Sequence, residues 1–474
     1  MSQRLLAQIL PLLAGLALPL AARADVRVVG PSPAPYAEIQ AAVDAANDGD
    51  VVLVKSGTYA SFVVRNQELA IVADTGAVVN VDGAIRVSGV AATRSVLLQG
   101  LRSVGTNATA QTRHGFYARN CAGPVRVVGC SLTGVPLNTG ITFVGPQQEY
   151  PSPLPSCYEG QGAYVESCDD VAFVGCTLRG SNAPAASGYA GTGTRPFAGL
   201  ADGGHGIYGE ASQLALYDDD ARGGMAGLWS AACAPLPNAP ALPGVGYGYI
   251  GAAGEGCRTM GSFVFGSNCA FAGAPGWTST CLGQCYCVPP SDGGNGLVHD
   301  TAPIAAQLVA CSTVAGAGGT PNSGPCACGI GGNFCFPGFP AGVAGAASVG
   351  AVNVVAGSAR RLTASNVARE GQTVTLTFLG QPGDRVELIS SARPGFQYLT
   401  SARGVVLVQR TRSQPVMKVG TLGASGTLTT TFSVGELGSG VESRTTWFQA
   451  AMIDGAGQTT LSSPACVVLL DAAF

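Results

Sequence analysis

Five residues between 202 and 222 could carry acid–base or metal-ion chemistry: Asp202, His205, Asp218, Asp220 and Arg222. Imidazole titrates near neutrality and can exchange a proton with a carboxylate or water, as cleavage of a glycosidic bond requires. Asp218-Asp219-Asp220 is the densest acidic run, and its hard oxygen ligands would suit Ca²⁺, with Arg222 as a base or substrate clamp. Neighbours on a strand point to opposite faces, so three consecutive carboxylates cannot all ligate one ion. A solvated acidic turn is the plainer account. His205-Gly206-Ile207-Tyr208 also repeats His114-Gly115-Phe116-Tyr117, which makes histidine a positional feature as well as a catalytic candidate. Tyr117, Tyr164 and Tyr208 hold one equivalent position. Facing outward they would form an aromatic platform for sugar rings; facing inward they would be packing. Cys281, Cys285, Cys287, Cys326 and Cys328 fit neither zinc nor iron–sulfur spacing, so no metal centre is expected there. No cofactor is expected beyond such a Ca²⁺.

These residues sit in a repeat that must position them. The stretch 162–180, GAYVESCDDVAFVGCTLRG, shares its scheme with 115–134, 206–224 and 296–316. Each copy opens on Gly, crosses a polar turn, runs an alternating strand and closes on small residues, which predicts two short strands and two turns per coil of a solenoid. Starting at Gly115, Gly162, Gly206 and Gly296, the copies are spaced 47, 44 and 90 residues apart. Two segments, 225–293 and 317–345, rich in Gly, Ala, Pro and Cys, do not read as rungs. They are expected to project from one side as loops stapled by cysteines that include Cys257 and Cys269. Upstream, Tyr36, Ile39, Val43 and Ala46 have helical spacing and end at Asn47-Asp48-Gly49-Asp50. Short β-rich runs follow, without room for crossover helices. Inward ladders are expected from Val52, Val54, Val63, Ile71, Val79, Val96, Leu98, Val125, Val127, Val171, Phe173, Leu214 and Leu216.

The run 39–59, IQAAVDAANDGDVVLVKSGTY, resembles the opening of right-handed parallel β-helix proteins of the pectin-lyase-like superfamily, in which a short helix caps the coil. The pattern extends over 35–320. The resemblance implies an all-β solenoid, specific for fold and not for activity. Gly204-His205-Gly206-Ile207 is similar to the GHG motif of the polygalacturonases of that superfamily. Their NTD and RIK-type motifs are absent, and Asp169-Asp170 falls at a turn. Gly57-Thr58-Tyr59 resembles the GxYxE start of pectin methylesterases with Ser61 in place of Glu, and 262–266, SFVFG, resembles their DFIFG motif without its Asp. The WIDH-type pattern of pectate lyases is missing. A β-propeller is the alternative architecture, because the rung interval approaches blade length.

From about 362 the texture changes to alternating strands such as 373–378, TVTLTF. About seven short strands in some 110 residues suit an antiparallel β-sandwich. The expected organisation is a leader over 1–24, a parallel β-helix over 25–358 and a sandwich over 359–474. The leader has Arg4, an apolar 5–20 and a cleavage site Ala22-Arg23-Ala24. Only 11% of residues are charged, 25 basic against 28 acidic, while 69 are Gly. That balance makes no electrostatic case for nucleic acid, and no later stretch is suited to membrane insertion. Sixteen cysteines in an exported chain suggest disulfides such as Cys121–Cys130 or Cys168–Cys176, against stacked thiols at Cys130, Cys176 and Cys311. The first functional reading is a secreted or cell-surface binding or structural protein that recognises polysaccharide. The alternative is a carbohydrate-active enzyme, lyase or hydrolase, on an acidic polysaccharide. They part on whether the five candidate residues converge in one groove.

Overall fold

A computed structural model describes residues 24–105, 113–135, 160–182, 200–228, 252–278, 280–282, 286–288, 290–321, 340–410 and 415–474. Residues 1–23 of the expected leader and most of the Cys-rich segments lie outside them.

Each turn of the coil contributes three strands, where the repeat suggests two. In 162–180 they are Ala163–Glu166, Val171–Val174 and Thr177–Arg179. The third, three residues long, occupies the stretch that reads as a closing run of small residues. All pair in parallel and in register with the neighbouring turns: Tyr164 with Tyr117 and Tyr208, Val171 with Val125 and Leu214, Leu178 with Leu132 and Ala221. The middle strands make a ten-stranded sheet. The first and third stacks are joined by the long strand Val79–Ser88, which pairs with Leu101–Ser103 at one end and Phe116–Arg119 at the other. The result is a nearly closed parallel coil.

The 90-residue gap contains a further turn. Cys257–Met260, Phe263–Ser267 and Ala270–Ala272 lie in register between their neighbours. Cys257 and Cys269 are therefore core residues of the coil and not loop staples, and 225–293 is two excursions flanking a rung. Backbone pairing between Thr280–Leu282 and Tyr286–Val288 makes a small hairpin in the second. Of the expected inward ladder, Val63 alone is displaced. An irregularity between Ala60 and Phe62 turns Phe62 and Val64 inward and leaves Val63 half-buried. The helix Ile39–Ala45 buries Ile39, Ala42 and Val43 in the same core as Val52 and Ile71. A strand before it, Val26–Val29, pairs with Val51–Val54.

Where one turn hands over to the next, outgoing and incoming chains lie against each other in a glycine column. Gly204 N–H donates to Ser181 O, Gly224 to Gly204, Gly254 to Gly224, Ala274 to Gly254, Gly294 to Ala274 and Gly316 to Gly294, all at 2.7–2.9 Å. A Cβ on Gly204 would lie 2.1 Å from Gly160 O, and one on Gly254 would lie 2.0 Å from Gly204 O. Only glycine permits this approach. The chain leaves the described coil and re-enters it beside this column, between 135 and 160, 182 and 200, 228 and 252, and 321 and 340.

Toward the C terminus, Arg361–Thr363, Thr373–Leu379 and Thr427–Ser433 form one antiparallel sheet. Ser443–Ile453 centres a second, between Arg385–Ser391 and Ala465–Leu470. Val374, Leu376 and Phe378 share a buried cluster with Val386, Ala450, Met452 and Val467. The opposite face of the second sheet, with Gly404–Val408, covers the outside of the ten-stranded sheet. Trp447, Cys466 and Val406 meet Leu53, Val72 and Leu97, while Val405 and Leu407 meet Ala172, Ala215, Tyr217 and Phe265. Buried on both faces, the middle strands read as unbroken apolar runs, VVLV, LAIVA and VAFV. Polar residues interrupt other middle strands, among them Arg126, fully buried, whose Nη2 donates to Asp170 Oδ2 and Gly395 O, each at 2.9 Å.

Cys121, Cys130, Cys168, Cys176, Cys257, Cys269, Cys311 and Cys466 are free thiols. Cys121 and Cys168 follow first strands, whereas Cys130 and Cys176 follow second strands, so the expected partners within one rung sit at different corners of the coil. Neighbours in space are instead one rung apart. Cys466 is buried against the ten-stranded sheet without a bridge. Among the described residues, no helix is long and apolar enough to cross a membrane.

Candidate functional site

The first strands set the site, because their pleat turns Phe116 and Ala118 inward and Tyr117 and Arg119 outward. Tyr117, Tyr164 and Tyr208 accordingly form an outward, half-buried column in strict register. Tyr164 and Tyr208 have centroids 5.1 Å apart and planes 8° apart, and Tyr117 and Tyr164 are 5.3 Å apart at 37°. Near-parallel rings this close cannot lie side by side in one plane, so they overlap in an offset stack. His114 stacks on Tyr164 at 5.1 Å and His205 on Tyr208 at 5.7 Å. The ring faces are therefore turned to one another, and the column presents edges and hydroxyls. Tyr117 Oη donates to Glu166 Oε2 at 2.9 Å, and Tyr164 Oη to Glu210 Oε2 at 3.4 Å. Burial, with Glu166 beside it, pushes the Tyr117 hydroxyl up to about 12, so it stays a donor at neutral pH. Arg119 pairs with Glu166 at 3.4 Å.

His205 belongs to a second column, the residues just before each opening glycine. His114 Nδ1 accepts from Gln161 N at 3.1 Å, Gln161 Oε1 from His205 N, His205 Nδ1 from Glu255 N at 3.1 Å, and Asn295 Oδ1 from Ala346 N at 2.8 Å. Histidine, glutamine and asparagine thus do one job, accepting the backbone N–H of the next turn. Burial, then the neighbouring Arg113, pushes the His114 imidazole down to about 3, so it remains neutral. His205 differs in one respect: Glu255 Oε2 lies 2.6 Å from the same Nδ1. Nδ1 accepts the backbone N–H or, when it carries a proton, donates to the carboxylate; one nitrogen cannot do both. Burial alone would raise the Glu255 carboxyl, but a donating His205, with Arg258 and Asn295, holds it below the usual range. Arg258 Nη1 is 3.2 Å from Glu255 Oε1.

The acidic candidates separate. Asp202 Oδ1 accepts from Ala252 N at 2.7 Å across the foot of an excursion. Asp218 turns a corner at φ 59°, accepts from Asn268 Nδ2 at 2.7 Å and pairs with Arg361 at 3.3 Å. Asp219 is buried and accepts from Cys176 N at 2.7 Å and Tyr217 N at 3.1 Å. Asp220 lies between Arg179 at 2.6 Å and Arg222 at 3.0 Å. Arg179 above all, despite partial burial, holds its carboxyl below the ordinary range. Asp218, Asp220 and Arg222 do line one cleft of about 440 Å³, with Asn268, Cys269 and Cys311, whereas His205 and Asp202 are not part of it. Among the described residues, no three His, Cys, Asp or Glu side chains gather in a metal-binding arrangement.

Glu255, Arg179 and Arg361 are the partners that sequence reading misses. Glu255 carried a usable signal, since it precedes Gly256 of the unrecognised rung as His205 precedes Gly206. Arg361 carried none.

No family model and no curated protein matches the chain. Among solved structures, it is similar to the pectate lyase Pel9A over 64% of this chain and 79% of that one, at 13% identity and a TM-score of 0.27. A rhamnogalacturonan lyase matches over 60% and 74%, at 11% identity and a TM-score of 0.18. The superoxide reductase (Neelaredoxin) from Ignicoccus hospitalis matches over 23% and 80%, at 9% identity and a TM-score of 0.14.

Proposed function

We propose that this chain is an exported binding or surface-structural protein: a right-handed parallel β-helix, capped by the helix Ile39–Ala45 and followed by a β-sandwich, that recognises polysaccharide along its first-strand face. One observation carries the reading: the groups chosen for chemistry are already committed to holding the coil. Asp220 is shared by two arginines, Asp218 is paired with Arg361, Asp202 holds Ala252 N, and His205 serves the next turn's backbone as Gln161 and Asn295 do. General acid–base catalysis needs a group free to reach substrate and change protonation. What faces outward is a stripe of Tyr hydroxyls, Glu166, Glu210 and Arg119, repeating at the rung spacing of about 4.8 Å. Such donors and carboxylates favour a neutral, hydroxyl-rich chain over a uronate polymer. Co-sedimentation of the mature protein with a polysaccharide panel, with and without Ca²⁺, is expected to show retention without new chain ends, weakened by Tyr164→Ala. New unsaturated or reducing ends would overturn the reading.

A second reading, a lyase or hydrolase acting on an acidic polysaccharide, is favoured by the 2.6 Å approach of Glu255 to His205. A carboxylate that orients an imidazole is how a general base is commonly held. That reading requires His205→Gln to abolish cleavage while leaving the fold intact.

A further inference from the structure

Five successive turns place one residue at the same corner after the second strand: Cys130, Cys176, Asp219, Cys269 and Cys311. The residue before each has positive φ, from 51° at Ala310 to 64° at Gly175. Asp219 divides the column into two thiol pairs. Cys130 and Cys176 are buried in the coil's core, as are Cys121 and Cys168 at the other corner. Cys269 and Cys311 differ because Cys311 is only half-buried and both line the cleft of about 440 Å³. Of the thiol pairs on these corners, this one has a route to a reagent.

The pair is pre-aligned. Ser312 N–H donates to Cys269 O at 2.8 Å, which fixes the two corners in register. Cys269 Sγ donates to Ser267 O at 3.4 Å and Cys311 Sγ to Val309 O at 3.5 Å, the carbonyl two residues back in each case, so both side chains take the same course. Cys269 N–H points at Cys311 Sγ from 3.4 Å. Equivalent corners of neighbouring turns are about 4.8 Å apart, inside the Cα separation of about 4.4–6.8 Å that a disulfide spans. Rotation of the two side chains toward each other, with a small closing of the corners, brings the sulfurs together.

We propose that Cys269 and Cys311 are a covalent modification site that closes to an inter-turn disulfide on meeting a small-molecule disulfide. The Cys311 thiolate attacks the reagent, forming a mixed disulfide and releasing one thiolate that takes up a proton. Cys269 Sγ then loses its proton, bonds to Cys311 Sγ and expels the second thiol. Two protein thiols are oxidised and one reagent disulfide is reduced to two thiols. The order follows from exposure, and the thiols support it: contact with Cys269 holds Cys311 below its usual range despite burial, while burial pushes Cys269 well up. The bond would tie the last complete turn to the one before it, next to the end of the coil where Val349 and Val354 lie exposed.

The test uses the full chain, first reduced and then incubated with oxidised glutathione, alkylated and mapped by mass spectrometry. A peptide pair joined through Cys269 and Cys311, lighter by two hydrogen atoms, is expected, with Cys121, Cys130, Cys168 and Cys176 alkylated only after unfolding. The oxidised protein should melt several degrees above the reduced one, a difference absent in Cys311→Ser and in Cys269→Ser. Glutathione retained on Cys311 with Cys269 free, both thiols alkylated, or a cross-link to another cysteine would each overturn the proposal. The wild-type map alone decides it if a variant fails to fold.

Discussion

Replacing Arg126 with Ala tests the contact between the coil and its C-terminal sheets. Arg126 is 0% exposed and stands between apolar neighbours in its column, paired with Leu97 on one side and Ala172 on the other. Its guanidinium donates to Asp170 Oδ2 at 2.9 Å, Gly395 O at 2.9 Å, Val125 O at 3.1 Å and Asp170 O at 3.3 Å. Asp170 is itself 6% exposed, so removing Arg126 strands a buried carboxylate. Breaking a buried pair from one side costs about 3–5 kcal/mol. At about 2–4 °C per kcal/mol for a large domain, the melting temperature should fall by roughly 6–20 °C. The double variant Arg126→Met with Asp170→Leu removes both charges and should lose much less than the sum of the single changes. The assay is calorimetric or fluorimetric melting of the four proteins, read as a double-mutant cycle. A fall under about 2 °C for Arg126→Ala, or a double variant that simply adds the single losses, would refute the argument.

Two further outcomes follow from the coil. Gly254→Ala places a Cβ 2.0 Å from Gly204 O, contact that backbone must yield to, at a cost of about 1–3 kcal/mol or more; melting and soluble yield should both drop, while alanine at the open Gly435 should be silent. His114 is held neutral, with its pKa lowered from 6.5 to about 3 by burial and Arg113. The unfolded chain therefore binds the extra proton between those values, so this contribution is complete above 6.5 and is lost as pH falls toward 3. His114→Gln, which keeps an acceptor for Gln161 N as Gln161 does for His205 N, should flatten melting temperature against pH across that window.

The fold was legible wherever burial leaves a regular signature. Val52, Ile71, Val125 and Val171 sit in short β-rich runs bounded by turns, whose alternate residues enter the core, and Ile39 and Val43 recur at helical spacing because the helix lies on that core. The third strands were not legible, since three residues such as Ser131–Thr133 are too few to show a period. The turn at 256–273 hid because its inward positions hold Cys257, Thr259 and Gly266, small or polar residues that read as loop. Covering of the ten-stranded sheet could be suspected from runs such as VVLV, but nothing in a run names what covers it. Residue types at the candidate site were visible and their commitments were not. Arg179 reaches Asp220 from the neighbouring turn, and Arg361 reaches Asp218 from beyond the coil. Separation in the chain carries no mark of such pairing.

The glycine column also separates length from architecture. From 135 to 160 and from 321 to 340 the chain leaves and returns beside the column, yet Gly204, Gly224, Gly254, Gly294 and Gly316 keep one hydrogen-bonded spacing throughout. What is fixed is the pair of exit and entry points, not the number of residues between them, and loop closure grows dearer only slowly with length. The column therefore fixes where the chain leaves and rejoins the coil, whatever the length and composition in between. Changing the number of residues in 136–159 or 183–199 should leave the melting of the coil little altered.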